Sequence, residues 1–263
     1  MGSVISVPMG FLCVEIGLRS SLRILKKICK IQMWVNLFFI SCNVRTVNYE
    51  DIWKLGNLES VKEPLVIKGM INDWDALEQW KTRQQFEDVY GDYEINAKRT
   101  FLGDQKDSIT IKEFGEISHM QHIIVMDDGR ITPGEHKLLS NIKRDFLIPK
   151  PFENLTYTRV LSYGGGHRGV ELMQHCVAWI GMIAGRKLWQ FANPKYKDVT
   201  TSCENPSTDP RVTSCIANKS DVVYVPDMWW HATCNLDPYT IAIGTQCWSH
   251  RKSRANRWLH DEL

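Results

Sequence analysis

The stretch Asp221-Val-Val-Tyr-Val-Pro-Asp-Met-Trp-Trp-His-Ala-Thr-Cys-Asn-Leu-Asp237 decides the fold. Residues 221–225 and 230–235 read as two buried strands joined at Pro226, which lacks the N–H that a continuous ladder would need. Side chains alternate along a strand, so His231 shares a face with Thr233 and Asn235 and projects from the second strand among polar groups.

Working upstream, Gly169-Val-Glu-Leu-Met-Gln-His-Cys-Val-Ala-Trp179 sets Glu171, Met173 and His175 on one strand face. Positions i and i+2 have Cα atoms about 6.7 Å apart, a spacing from which two side chains converge on one metal. Glu171 is twice as far from His175 and is a poor ligand unless a bulge intervenes. Short β-rich runs at 157–163, 170–183, 188–191, 221–225, 230–235 and 240–247, separated by turn signals, predict a mainly β jelly roll or barrel. Residues 63–71 and 92–101 add earlier strand-like runs. Flanking helices are expected at 77–90, stopped by Gly91, and at 108–120, with a weaker helical pattern at 47–58. No repeat, low-complexity tract or linker-like break divides the chain. The expected organisation is a leader over 1–45, one domain over 46–250 and a basic tail over 251–263.

A chain of 263 residues, 43% hydrophobic and 24% charged, can bury one substantial core. The net charge of +2 is spread through the body, so no nucleic-acid-binding stripe is expected. His260-Asp261-Glu262-Leu263 matches the retrieval tetrapeptide of endoplasmic reticulum residents, which implies a retrieval receptor as partner. Basic residues over 19–30 followed by the apolar run 33–44 form a signal-peptide layout, and that run is too short for a stable membrane span. An oxidising lumen makes the cysteines candidates for disulfides, with Cys13, Cys29 and Cys42 falling in the leader. Cys203 and Cys215 bracket a polar loop, and a bridge between them would contribute about 3 kcal/mol through chain entropy; the alternative is two free thiols. Asn154 and Asn218 head glycosylation sequons.

Residues 161–246 resemble the JmjC domain, a group of cupin-fold oxygenases that use Fe(II) and 2-oxoglutarate. The resemblance rests on Gly185-Arg-Lys-Leu-Trp189 and on Pro226-Asp-Met-Trp-Trp-His-Ala-Thr-Cys-Asn-Leu-Asp237. Glu63-Pro-Leu-Val-Ile-Lys-Gly69, followed by Trp74 and Trp80, is similar to the opening of the same family. It implies a double-stranded β-helix. By position it puts the first histidine ligand at Met173, the second ligand, usually a carboxylate, at His175, and the distal histidine at His231. Lys187 falls on the lysine that pairs with the distal carboxylate of 2-oxoglutarate in several family enzymes.

Two of the three metal positions therefore depart from the family pattern. A thioether is a weak ligand for hard Fe(II), and loss of the carboxylate removes the anion that offsets the metal charge. Simpler readings stand beside these: Met173 as a core filler, His175 and His231 as interior histidines, and Lys187 as an exposed turn residue on spacing alone. Gly164-Gly-Gly-His-Arg-Gly169 reads as a loop at the barrel mouth, with His167 exposed in it. The expected function is a non-catalytic interaction or regulatory role in the endoplasmic reticulum lumen, with a protein partner and no bound cofactor. Two alternatives are an Fe(II)- and 2-oxoglutarate-dependent protein hydroxylase completed by water, His167 or Glu171, and a module that holds a soft metal such as Cu(I) through Met173, His175 and His231.

Overall fold

A computed structural model describes residues 42–247 apart from 101, 128–130, 154–156 and 204. The leader up to residue 41, the Asn154 sequon, the basic tail and the tetrapeptide at 260–263 lie outside the described residues. In chain order the first strands are β1 (Arg45–Asn48), β2 (Leu65–Lys68), β3 (Glu94–Asn96), β4 (Ser108–Thr110), β5 (His122–Met126) and β6 (Tyr157–Gly164). Then follow β7 (Ala178–Ala184), β8 (Lys187–Ala192), β9 (Val212–Ala217), β10 (Val222–Val225), β11 (Trp230–Asn235) and β12 (Thr240–Cys247).

Seven of these form a major sheet in the order β1-β2-β10-β7-β12-β6-β5, and three form a minor sheet in the order β11-β8-β9. Every pairing is antiparallel except β1 with β2. The chain is thus mainly β, with a jelly-roll arrangement of two apposed sheets. Strand alternation sorts the residues of the major sheet into two cores. One face carries Leu65, Ile67, Leu161, Tyr163, Trp179, Ile183, Val222 and Tyr224 into a cluster shared with the helices. The other carries Val66, Ile180, Met182, Val223, Val225 and Ala242 against Trp189, Phe191, Cys215 and Ala217 of the minor sheet.

Four helices cover the first face: α1 (Ala76–Gln79), α2 (Arg83–Tyr90), α3 (Ile111–Ile117) and α4 (Pro133–Ile142). The helix expected over 77–90 is broken because Thr82 takes an extended backbone and caps α2, accepting from the Gln85 N–H while Gln85 reaches back. The helix expected over 108–120 is shortened in the same way, with Thr110 ending β4 and capping α3 through Glu113. The strand expected over 170–183 is likewise divided: β7 begins only at Ala178, and the stretch before it pairs elsewhere.

Three disulfides replace the expected Cys203–Cys215 bridge: Cys42–Cys215, Cys176–Cys247 and Cys203–Cys234. Alternation explains the correction. Cys215 points into the inter-sheet core, whereas Cys234 lies between Thr233 and Asn235 on the opposite face of the minor sheet, and Cys203 reaches it there. Cys42, at the end of the expected leader, is bonded to Cys215, and Val44, two residues on, is buried. By chain entropy such bridges stabilise by about 3–5 kcal/mol each. No helix among the described residues is long and apolar enough to cross a membrane.

Candidate metal and carboxylate site

The segment 167–175 runs antiparallel along the edge of β11 and acts as a further strand of the minor sheet. Its bonds are His167 N–H to Asn235 O, Asn235 N–H to Arg168 O, Thr233 N–H to Val170 O, and Met228 N–H to His175 O. At the centre, Met173 and His231 exchange both backbone bonds, at 3.0 and 2.9 Å. Residues paired in this way project their side chains to the same side of a sheet, so Met173 follows His231 toward the inter-sheet space.

His175, two residues on, meets His231 ring to ring at 4.4 Å between centroids, edge to face. Both imidazoles are oriented by the backbone: Nδ1 of His175 lies 2.6 Å from Cys176 O, and Nδ1 of His231 lies 2.9 Å from Trp229 O. A carbonyl only accepts, so both Nδ1 atoms carry a proton. Burial, with the neighbouring His175, pushes the pKa of His231 down to about 3, so this ring stays neutral through the physiological range. The frame is braced on both sides, since Cys176 is bonded to Cys247 and Cys234 to Cys203.

Met173 is 39% exposed at the open end of the site, so it is not the core filler that its chemistry suggested. Glu171 is exposed and lines a cavity of about 350 Å³ with Met120, His122, His167, Arg168 and Cys203. His167 borders that cavity half-buried, with φ of 60°, rather than standing in open solvent. Among the described residues no group of three His, Cys, Asp or Glu side chains could hold a metal. Two imidazoles and a thioether do not match the two histidines and carboxylate that Fe(II) oxygenases require, so the position does not fit iron.

The carboxylate end is different. Lys187, expected on spacing alone to be exposed, is 2% exposed, and its Nζ donates to Ser162 Oγ at 2.8 Å. It lies on the inward face of β8, directly opposite Asn235 of β11. Burial lowers its pKa to about 7. Ser162 is also 2.8 Å from Nε2 of His122, whose ring hydrogen-bonds the Gly169 backbone as well. Burial and the Lys187 charge hold His122 well below the usual histidine range, so Nε2 accepts the Ser162 proton. Asn235 is fully buried, with neither Oδ1 nor Nδ2 partnered. A buried ammonium beside an orphaned amide fits the distal carboxylate of 2-oxoglutarate.

His122 and Ser162 escaped sequence reasoning. The signal for His122 was the alternation of His122-Ile-Ile-Val-Met126, half-buried and buried by turns. Asn218 is exposed on the turn between β9 and β10, an accessible position for the sequon it heads.

No protein-family model matches the chain. The chain is similar to JmjC domain-containing protein 8 of Homo sapiens, 33% identical over 102 residues, covering 34% of this chain and 39% of that protein. The Mus musculus protein of that name is 32% identical over 102 residues, covering 34% and 38%. Lysine-specific demethylase JMJ21 of Arabidopsis thaliana is 22% identical over 225 residues, covering 69% of this chain and 23% of that protein. The chain thus spans well under half the length of the relatives it matches.

Proposed function

From the relationship of this chain to the JmjC family, we propose a JmjC-like protein of the endoplasmic reticulum lumen whose metal position no longer supports oxygenase chemistry and whose role is protein interaction or regulation. One observation carries the reading: at the positions of the three metal ligands, Met173, His175 and His231 supply a thioether and two imidazoles and no carboxylate. Without an anion to offset its charge, Fe(II) is held weakly. Three disulfides support an oxidising compartment, in keeping with the terminal His-Asp-Glu-Leu. Succinate formation from 2-oxoglutarate after iron loading tests the reading, and none is expected.

The buried group of Lys187, Ser162 and Asn235 favours a second reading, an Fe(II)- and 2-oxoglutarate-dependent hydroxylase whose metal site is completed on substrate binding. Lys187 would hold the distal carboxylate of 2-oxoglutarate, the co-substrate that supplies the electrons for oxygen activation. Stoichiometric iron retained by the unmodified protein would decide for it.

A further inference from the structure

We infer that the loop following α4 docks the protein on an anionic lipid surface, with Leu147 and Ile148 entering the interface and Lys143, Arg144 and Lys150 meeting the headgroups. Leu147 is 71% exposed and Ile148 41%, the first being the most exposed large apolar side chain among the described residues. Neither belongs to a loose segment. Before them, Asp145 O accepts from the Ala76 N–H of α1 at 3.1 Å, and the Asp145 carboxylate accepts from Trp80 Nε1 at 2.9 Å and from the Tyr90 hydroxyl. Phe146 is buried against Trp74, with ring centroids 5.2 Å apart. After them, Pro149 is buried and Phe152 stacks on Trp179 at 4.9 Å. Anchored on both sides, the two aliphatic side chains are presented outward, and docking loses little ordering entropy.

Charge and shape select the partner. Lys143, Arg144 and Lys150 are exposed, while the one carboxylate between them, Asp145, is turned inward by its bonds to Trp80 and Tyr90. Asp75, beside Ala76, and Glu153 are the exposed carboxylates that adjoin the loop by bonding or sequence, so its outer face stays net positive. A peptide is held by a groove or by a free strand edge, and residues 143–149 form an irregular projection that offers neither. Aliphatic tips flanked by cations suit a lipid interface, where the apolar atoms enter the acyl boundary and the long cationic side chains reach the phosphates. This inference goes beyond the interaction role and does not depend on the metal position.

The test is co-sedimentation of the full chain with phosphatidylcholine vesicles, with and without phosphatidylserine, read together with amide hydrogen exchange. The anionic vesicles should bind the protein and protect amides within 143–150. Leu147→Ser combined with Ile148→Ser should weaken this binding by about tenfold or more and leave the thermal midpoint unchanged, since both side chains are exposed. Lys143→Gln combined with Lys150→Gln should remove the preference for anionic over neutral vesicles. Absence of binding would overturn the inference, as would binding through the apolar run 33–44 or the basic tail that leaves exchange at 143–150 unaltered. Protection of 143–150 that rises with protein concentration in the absence of vesicles would assign the loop to a second copy of the chain and overturn it equally. Succinate formation tests the metal position separately, so each reading can fail without the other.

Discussion

Lys187 and Asn235 stand directly opposite each other across the β8–β11 ladder, both buried. The amine of one is held by Ser162, and the amide of the other has no partner at either polar atom. An ammonium in this position costs stability. Its pKa is about 7 in the folded chain against 10.5 when exposed, so the unfolded chain binds more protons between those values. Stability should therefore rise as pH climbs from about 7 to about 10.5, with the full penalty present below pH 7. Lys187→Met should stabilise the protein at pH 6 by up to about 4 kcal/mol and flatten this dependence. Urea unfolding of both proteins at pH 6 and pH 9 measures it, and a mutant no more stable than the parent at pH 6 would contradict the assignment.

Asn235 makes a separate prediction. Replacing a buried, unpartnered amide with an apolar group of similar size removes a desolvation cost, so Asn235→Leu should be neutral or stabilising by about 1 kcal/mol. A loss above about 2 kcal/mol in thermal unfolding would mean that the amide is satisfied by ordered water.

Peptide mapping without reduction should recover Cys42 linked to Cys215, Cys176 to Cys247 and Cys203 to Cys234. Cys234→Ser should leave Cys203 open to alkylation and destabilise the protein by about 3 kcal/mol. A Cys203–Cys215 peptide in the native map would refute this connectivity.

The strands that carry the site were legible in the sequence because alternation and turn chemistry act locally. β6, β8, β10, β11 and β12 fall close to where the pattern put them. The disulfides were not, since pairing depends on which face of the minor sheet each cysteine takes, and β9 lies hidden beyond a polar loop. Lys187 misled for a similar reason: a Gly-Arg-Lys turn looks exposed, yet Lys187 is the first residue of β8 and points inward opposite Asn235. The partnership of His122 with Ser162 joins residues 40 apart through the β5–β6 ladder, which no local signal announces.

Location is tested with a tag placed inside the chain, leaving Leu263 terminal. The protein should be protease-protected in the reticulum and secreted after deletion of 260–263. Asn218→Gln should remove one endoglycosidase-sensitive glycan, since Asn218 is exposed on its turn. A cytosolic, protease-sensitive protein would contradict the luminal reading.

The most direct measurement is succinate formation from 2-oxoglutarate after anaerobic Fe(II) loading and admission of oxygen. The unmodified protein should bind no stoichiometric iron and form no succinate above background. Met173→His combined with His175→Asp should raise iron affinity at least tenfold, because the i, i+2 spacing and His231 are already in place. Turnover by the unmodified protein that is abolished by His231→Ala would contradict the account and establish an active oxygenase.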